Sequence, residues 1–274
     1  MTDVGDRSGV TSLDEVTTRV RADNPSPMTL TGTNTYVVAD PGAGAAVVVD
    51  PGPVLPGHRS AIDSVLAAHS ARVAAVVITH HHADHAEAVG WARSWGAPAF
   101  AFDPARIPGT EPLADRQVIA EAGVELVVHH QPGHTSDHVC LGVARTGVVL
   151  TGDHVLGEGT TVIAWPDGDL GAYLASLRAL RGLAPTALYP GHGDVIDDPA
   201  GHIDALLAHR AQRTRQIVDA LADGGRTVPE IVAQVYPDLR SDLRPAAGRS
   251  VQAHLADLVR QGRVTSRGER WHGR

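Results

Sequence analysis

The sequence contains no lysine; all 23 of its basic residues are arginine, a bias that reflects genome composition more than function. It has one cysteine, Cys140, which excludes an intrachain disulfide and agrees with a reducing compartment. In "HVCLGV" that residue reads as part of a buried strand. No apolar run approaches the roughly 18 residues that a membrane span needs, so no membrane association is expected. The opening "MTDVGDRSGVTSLDE" has early acids and no apolar core of a targeting peptide, and a cytoplasmic address follows. Aromatic residues make up only 4%, so the stacking platforms that interleave with basic residues in nucleic-acid grooves are scarce.

What is present is ordinary for a folded chain: 43% hydrophobic and 20% charged residues exclude disorder as the main theme. A length of 274 residues accommodates one large core plus a small satellite. Charge is unevenly placed. From residue 205 onward 12 arginines face 7 acids, a net of +5, whereas the first 204 residues hold 11 arginines against 24 acids, a net of −13. An acidic body with a basic tail suggests two modules, 1–204 and 205–274, with different partners.

In the first module short β-rich runs alternate with helical ones. "TNTYVVAD" and "AAVVVDPG" read as strands joined by a "PGAG" turn, 58 to 69 as a helix, and "AAVVIT" as a buried strand. "AFAFD", "VELVVHH", "HVCLGVA", "GVVLTGD" and "TALYPG" are further strands. Leu170, Tyr173, Leu174, Leu177 and Leu180 share one helical face. After His202 the pattern is helical: a long helix over 203–221, then a Thr227/Glu230 capping box with Pro229 in the first turn of a helix reaching Val235. Pro245 opens another helix, with Val251, Leu255, Leu258 and Val259 on one face and Gly262 as the stop. "RVTSRGERW" supplies two extended pieces, and helix, helix, helix, hairpin is a winged-helix order.

The stretch "VVITHHHADHAEA" carries the densest chemistry. An extended chain alternates faces, so a strand ending in His80-x-His82 projects both rings to one side and His81 to the other, as a bystander or a shaper of the pocket. Asp84 and His85 follow as the chain enters a helix over 86–95. Imidazole and carboxylate are common zinc or iron ligands. "PGHTSDH" with His134, "LTGDHV" with Asp153 and "LYPGHGD" with His192 repeat the device, each with a glycine before the ligand type to permit a tight turn.

These motifs carry a resemblance. "HHHADH" fits the H-x-H-x-D-H signature of the metallo-β-lactamase superfamily, and Asp50 in "VVVDPG", His134, Asp153 and His192 fit its other four motifs in order. The match covers about two hundred residues, and five ordered motifs are far more specific than a lone H-x-H. More narrowly, "NPSPMTLTGTNTYVV", "PGHTSDH" and the tail resemble the beta-lactamase-like protein 2 family, whose best-known members are endoribonucleases. The resemblance implies an α/β fold, a four-layer αββα sandwich with the metal site at one edge of two sheets, followed by a small winged-helix domain.

It also implies two metal ions, Zn2+ with Mn2+ or Fe2+ as alternatives. His80, His82 and His134 would hold one, Asp84, His85 and His192 the second, and Asp153 would bridge them, with Asp50 supporting the site from behind. Asp84 would double as hydrogen-bond partner or base for an attacking water. His138 and His154, each beside a motif residue, are candidates to orient a ligand or touch substrate. His58, His69, His129, His202, His209, His254 and His272 read as structural, as do Asn34 and Tyr36 in the first hairpin.

Two substrate classes follow, single-stranded RNA as the first expectation and a small ester or thioester as the alternative. Single-stranded RNA is favoured by the full-length resemblance and by the basic tail, where Arg249, Arg260, Arg263, Arg267 and Arg270 are the candidate phosphate contacts. A small ester or thioester, as in glyoxalase II, is favoured by the −13 body, which repels a polyanion. A redox role with iron ranks last, because the residues after 204 are too few and too helical for a flavodoxin-like unit. β-Lactamase activity is disfavoured because those enzymes are normally exported. A homodimer remains open.

Overall fold

The computed structural model describes residues 9–274. They form two compact units, each discontinuous along the chain. The first holds the described residues through His130, then Asp137–Gly159 and Pro185–Pro199; the second holds Gln131–Ser136, Thr160–Ala184 and Ala200–Arg274.

In the first unit, β1 (Val10–Ser12), β2 (Thr17–Arg21), β3 (Asn34–Val38), β4 (Ala45–Val49), β5 (Arg72–Val77), β6 (Ala99–Ala101) and β7 (Glu111–Pro112) make a seven-stranded sheet in chain order. β1 to β4 are antiparallel, with a longer connection over 22–33 between β2 and β3, and β4 to β7 are parallel. Three helices fall in the parallel half: α1 (Pro56–Ala68), α2 (Ala83–Ala86) and α3 (Trp91–Trp95). The second sheet has the order β12-β11-β10-β9-β8, from β8 (Val118–Ile119), β9 (Leu126–His130), β10 (Val139–Val143), β11 (Val149–Gly152) and β12 (Leu188–Pro190).

The valine-rich runs are buried on both sides, and the period of two sorts their side chains. Val38, Val47 and Val49 join Leu126, Val128, Leu141 and Leu150 in a layer between the sheets. Val37, Val48 and Val76 turn the other way, onto Ile62 and Leu66 of α1. Each such fully buried side chain contributes about 1.5–3 kcal/mol relative to exposure.

The second unit contains α4 (Leu170–Gly182), α5 (Pro199–Ala220), α6 (Val228–Val235), α7 (Arg244–Arg260) and the hairpin β13 (Val264–Arg267) with β14 (Arg270–Gly273). Asp169 caps α4 by accepting the Ala172 N–H at 2.8 Å, and both bonds of the Thr227/Glu230 capping box open α6. Ile217, Ile231, Val251, Leu255, Leu258 and Val264 form its core. Val259, expected on the apolar face of α7, is 44% exposed.

Two local expectations are corrected. The helix over 86–95 is instead α2, a 3-10 turn over Glu87–Gly90 and α3, which ends on left-handed Gly96; Gly90 and Gly96 are poor helix formers. β5 stops at Val77, so His80 to His82 lie in a bend rather than at a strand tip. Residues 204 and 205, where the two modules are expected to meet, both lie in α5. Among the described residues no helix is long and apolar enough to cross a membrane.

Candidate metal centre

The donors of the first unit come from three places. His80, His82, Asp84 and His85 lie on the bend and helical turn after β5, Asp153 follows β11, and His192 follows β12. Parallel pairing of β11 and β12 puts their ends side by side, with Gly152 opposite Pro190. The glycines before the donors are required. A Cβ on Gly191 would sit 2.7 Å from His85 Cε1 and 2.8 Å from Asp153 Oδ1. One on Gly152, already at φ +47°, would sit 2.7 Å from Thr79 Oγ1 and 2.8 Å from His138 Nε2.

Two donor groups result. In one, the donor atoms of His80, His82 and Asp153 lie within 4.8 Å of one another, as do those of Asp84, His85 and His192 in the other. Asp153 stands between them. Its Oδ1 is 3.3 Å from Nε2 of both His85 and His192, and its Oδ2 is 4.0 Å from His80 Nε2. Asp84 Oδ2 is 3.1 Å from His192 Nε2 and accepts the Thr33 hydroxyl at 3.4 Å.

Backbone and neighbouring side chains hold the opposite ring nitrogens. His85 Nδ1 donates to Asp50 Oδ2 at 2.8 Å, and His192 Nδ1 donates to the Gly32 carbonyl at 3.3 Å. Thr79, overlooked in the sequence, links Asp50 to His80. Its hydroxyl donates to Asp50 Oδ2 at 2.7 Å and accepts from His80 Nδ1 at 3.0 Å. Each of these bonds directs an Nε2 toward the donor group, the tautomer a metal ligand needs. Asp50 itself sits at φ +50° and also accepts the Thr79 N–H at 2.7 Å.

His138 Nε2 accepts the Asp153 N–H at 3.1 Å, so this ring fixes the backbone that presents the central carboxylate. His154 is fully buried with its ring centroid 6.0 Å from that of His138. His81 pairs through Nδ1 with Asp137 Oδ1 at 2.9 Å, apart from both donor groups. Asn34 donates to the Pro190 and Gly193 carbonyls, each at 2.9 Å, and Tyr36 to Pro190 at 2.7 Å, so both strand residues anchor the loop carrying His192.

His134 belongs to the second unit. There its Nδ1 donates to the Val162 carbonyl at 2.7 Å.

The electrostatics ask for a cation. Burial pulls the His85 imidazole down, but the Asp153 and Asp50 carboxylates outweigh it and lift it well above the usual range. Burial likewise depresses His192, yet Asp153 and Asp84 carry it to about 9. Desolvation would raise the Asp153 carboxyl; His192 and His85 hold it well below its ordinary value. Asp84, against the same desolvation, is lowered by His192 and His85. Buried carboxylates that draw protons onto imidazoles would be equally served by divalent cations, with the rings neutral. The donor set, imidazole nitrogen with carboxylate oxygen, therefore fits divalent metal ions.

Comparison with known proteins identifies the family. Residues 28–192 match the metallo-beta-lactamase superfamily, and 227–271 match the beta-lactamase associated winged helix domain. A beta-lactamase-like protein 2 homolog of Drosophila melanogaster is 33% identical over 278 residues, covering 93% of this chain and 91% of its own. An atrochrysone carboxyl ACP thioesterase of Aspergillus fumigatus is 30% identical over 260 residues, covering 88% of this chain and 79% of its own. Among solved structures, a metallo-beta-lactamase family protein of Thermus thermophilus superposes with a TM-score of 0.81 at 25% identity, over 96% of this chain and 100% of that one. The chain belongs to the metallo-beta-lactamase superfamily, as a hydrolase of the sandwich fold with a C-terminal winged-helix domain.

Proposed function

We propose that this hydrolase is dinuclear: His80, His82 and His134 hold one divalent cation, Asp84, His85 and His192 hold the other, and Asp153 bridges them. The observation that carries this reading is the Asp153 carboxylate, with one oxygen toward each donor group. His134 joins through its motif position, and its Nδ1 bond to Val162 supports the tautomer that ligation through Nε2 needs. Zinc suits imidazole and carboxylate donors best, with manganese or iron as alternatives. When bound, such a pair of cations polarises the scissile group and lowers the pKa of water. Asp84, with 28% of its side chain exposed and its pKa depressed, stays ionised and accepts the proton of the attacking water.

For the substrate, the reading favoured is a thioester or ester. The Aspergillus fumigatus relative is a thioesterase, and several tail arginines are already committed to acids. Arg260 pairs with Asp169 at 2.6 Å and Asp257 at 3.1 Å, and Arg270 with Glu230 at 3.2 Å. Single-stranded RNA is the second reading, favoured by the exposed Arg249, Arg263 and Arg267. A cytoplasmic location accompanies either, supported by the single, buried Cys140.

The test offers purified zinc- or manganese-loaded protein an acyl-pantetheine thioester, S-lactoylglutathione and unstructured RNA, each beside His82→Ala. Thioester turnover that vanishes in the variant supports the first reading. RNA cleavage alone would replace it with the second, and no metal-dependent hydrolysis of any kind would remove both.

A further inference from the structure

We propose that Arg210, on α5, is a positioning residue for the metal held by His134, acting through the peptide that joins Thr161 to Val162. This rests on the reading that His134 is a ligand.

Arg210 Nη2 donates to the Thr161 carbonyl. The next carbonyl along the chain, Val162, is the one that takes the His134 Nδ1 proton at 2.7 Å. The two carbonyls belong to successive peptide planes hinged at the Val162 Cα, so the guanidinium that fixes the first plane restrains the second, whose carbonyl is the His134 acceptor. The loop bearing His134 is tied to the same segment elsewhere. The Gly133 carbonyl accepts the Asp169 N–H at 2.9 Å, and the Pro132 carbonyl accepts the Ser176 hydroxyl at 2.8 Å. Gly133, at φ +139°, lies flush on α4, where a Cβ would fall 2.3 Å from Tyr173 Cα. The Tyr173 ring in turn lies 5.3 Å from the Arg210 guanidinium. Arg210 therefore grips both ends of the segment that seats His134: the carbonyl at residue 161 and the ring at residue 173.

A purely structural role fits this residue poorly. Arg210 is 3% exposed, makes no ion pair among the described residues, and its Nε has no acceptor there. Burying an unpaired cation is unfavourable, and an apolar side chain of similar volume would fill the space more stably. What the guanidinium adds is a donor of fixed direction to a backbone carbonyl.

The experiment is a zinc titration of the full-length chain against a chromophoric chelator, reading stoichiometry and both affinities. His134→Ala should keep one tight site and lose the other. Arg210→Met should keep the same site and weaken the other by about 10–100-fold, the usual effect of removing a residue that orients a ligand. Arg210→Lys, which retains a donor, should recover most of the loss, and Arg210→Met combined with His134→Ala should add nothing to His134→Ala. If Arg210→Met does not fold, Arg210→Gln is read in the same terms. Two tight sites in His134→Ala would sink the ligand reading and this inference with it. One tight site in His134→Ala but two in Arg210→Met would overturn the positioning role alone. Equal weakening of both sites with a lowered melting temperature would reduce Arg210 to a structural part.

Discussion

Asp50 accepts the Nδ1 proton of His85 at 2.8 Å, and this bond decides which nitrogen of His85 faces Asp153 and His192. The same carboxylate oxygen reaches His80 through the Thr79 hydroxyl. One side chain thereby orients an imidazole in each donor group. Asp50→Ala should weaken binding of both cations by about 10–100-fold with the far-ultraviolet circular dichroism unchanged. A loss confined to one cation would mean that the Thr79 relay does not act.

Asp153→Ala should cost both metal content and activity, because the central carboxylate offsets the repulsion between two dications. His81→Ala should retain both ions, since that ring is engaged with Asp137 instead. Elemental analysis of the two variants side by side checks this. Full occupancy in the first, or depletion in the second, contradicts the donor assignment.

The chelator-treated protein should lose stability between neutral and alkaline pH. His192 rises from 6.5 to about 9 on folding, so its contribution is fully present below pH 6.5 and is lost as pH climbs toward 9. His85 is raised too and acts in the same direction. The depressed Asp84 and Asp153 contribute above pH 3.8 and lose that contribution as pH falls through their folded values. Urea midpoints should therefore be higher at pH 6 than at pH 9. Zinc must displace the imidazole protons, so its affinity should rise over the same interval. A chelated protein more stable at pH 9 would refute the protonated-imidazole picture.

Charge reversal sorts the tail arginines. Arg263→Glu with Arg267→Glu should leave thioester turnover within about twofold and, if RNA is a substrate, weaken RNA binding most at low salt. Arg260→Glu should lower the melting temperature instead, since it sets a carboxylate against Asp169 and Asp257. Equal RNA binding by all three proteins at low ionic strength would exclude the hairpin as a nucleic-acid contact.

Much of the fold was legible because its signals are local. The alternating valines of β3 and β4, the Thr227/Glu230 box and the spacing of Val251, Leu255 and Leu258 each state their structure within one or two turns of chain. The candidate donors could be named because ligand chemistry restricts their types. The route to the converging His80 and His82 rings was misread: β5 ends at Val77 and a bend, not strand alternation, aims them. Thr79 was missed because a threonine after a β-branched run looks like one more strand residue. The Gly32 carbonyl that holds His192 leaves no mark in side-chain chemistry, and the link from Arg210 to Thr161 spans 49 residues that no periodicity connects.

The interleaving of the two units has a practical meaning for anyone cutting this gene. Gln131–Ser136 leaves and rejoins the first unit between β9 and β10, hydrogen-bonded neighbours with His130 opposite Val139. Thr160–Ala184 does the same between β11 and β12. No single break therefore separates the units. A product ending at residue 204 would carry α4 and both inserted loops without most of α5 and all of α7, leaving the α4 cap at Asp169 without its Arg260 partner. Fragments meant to isolate the first unit from the second would need two internal deletions as well as a C-terminal cut, so point substitution, not truncation, is the way to dissect this chain.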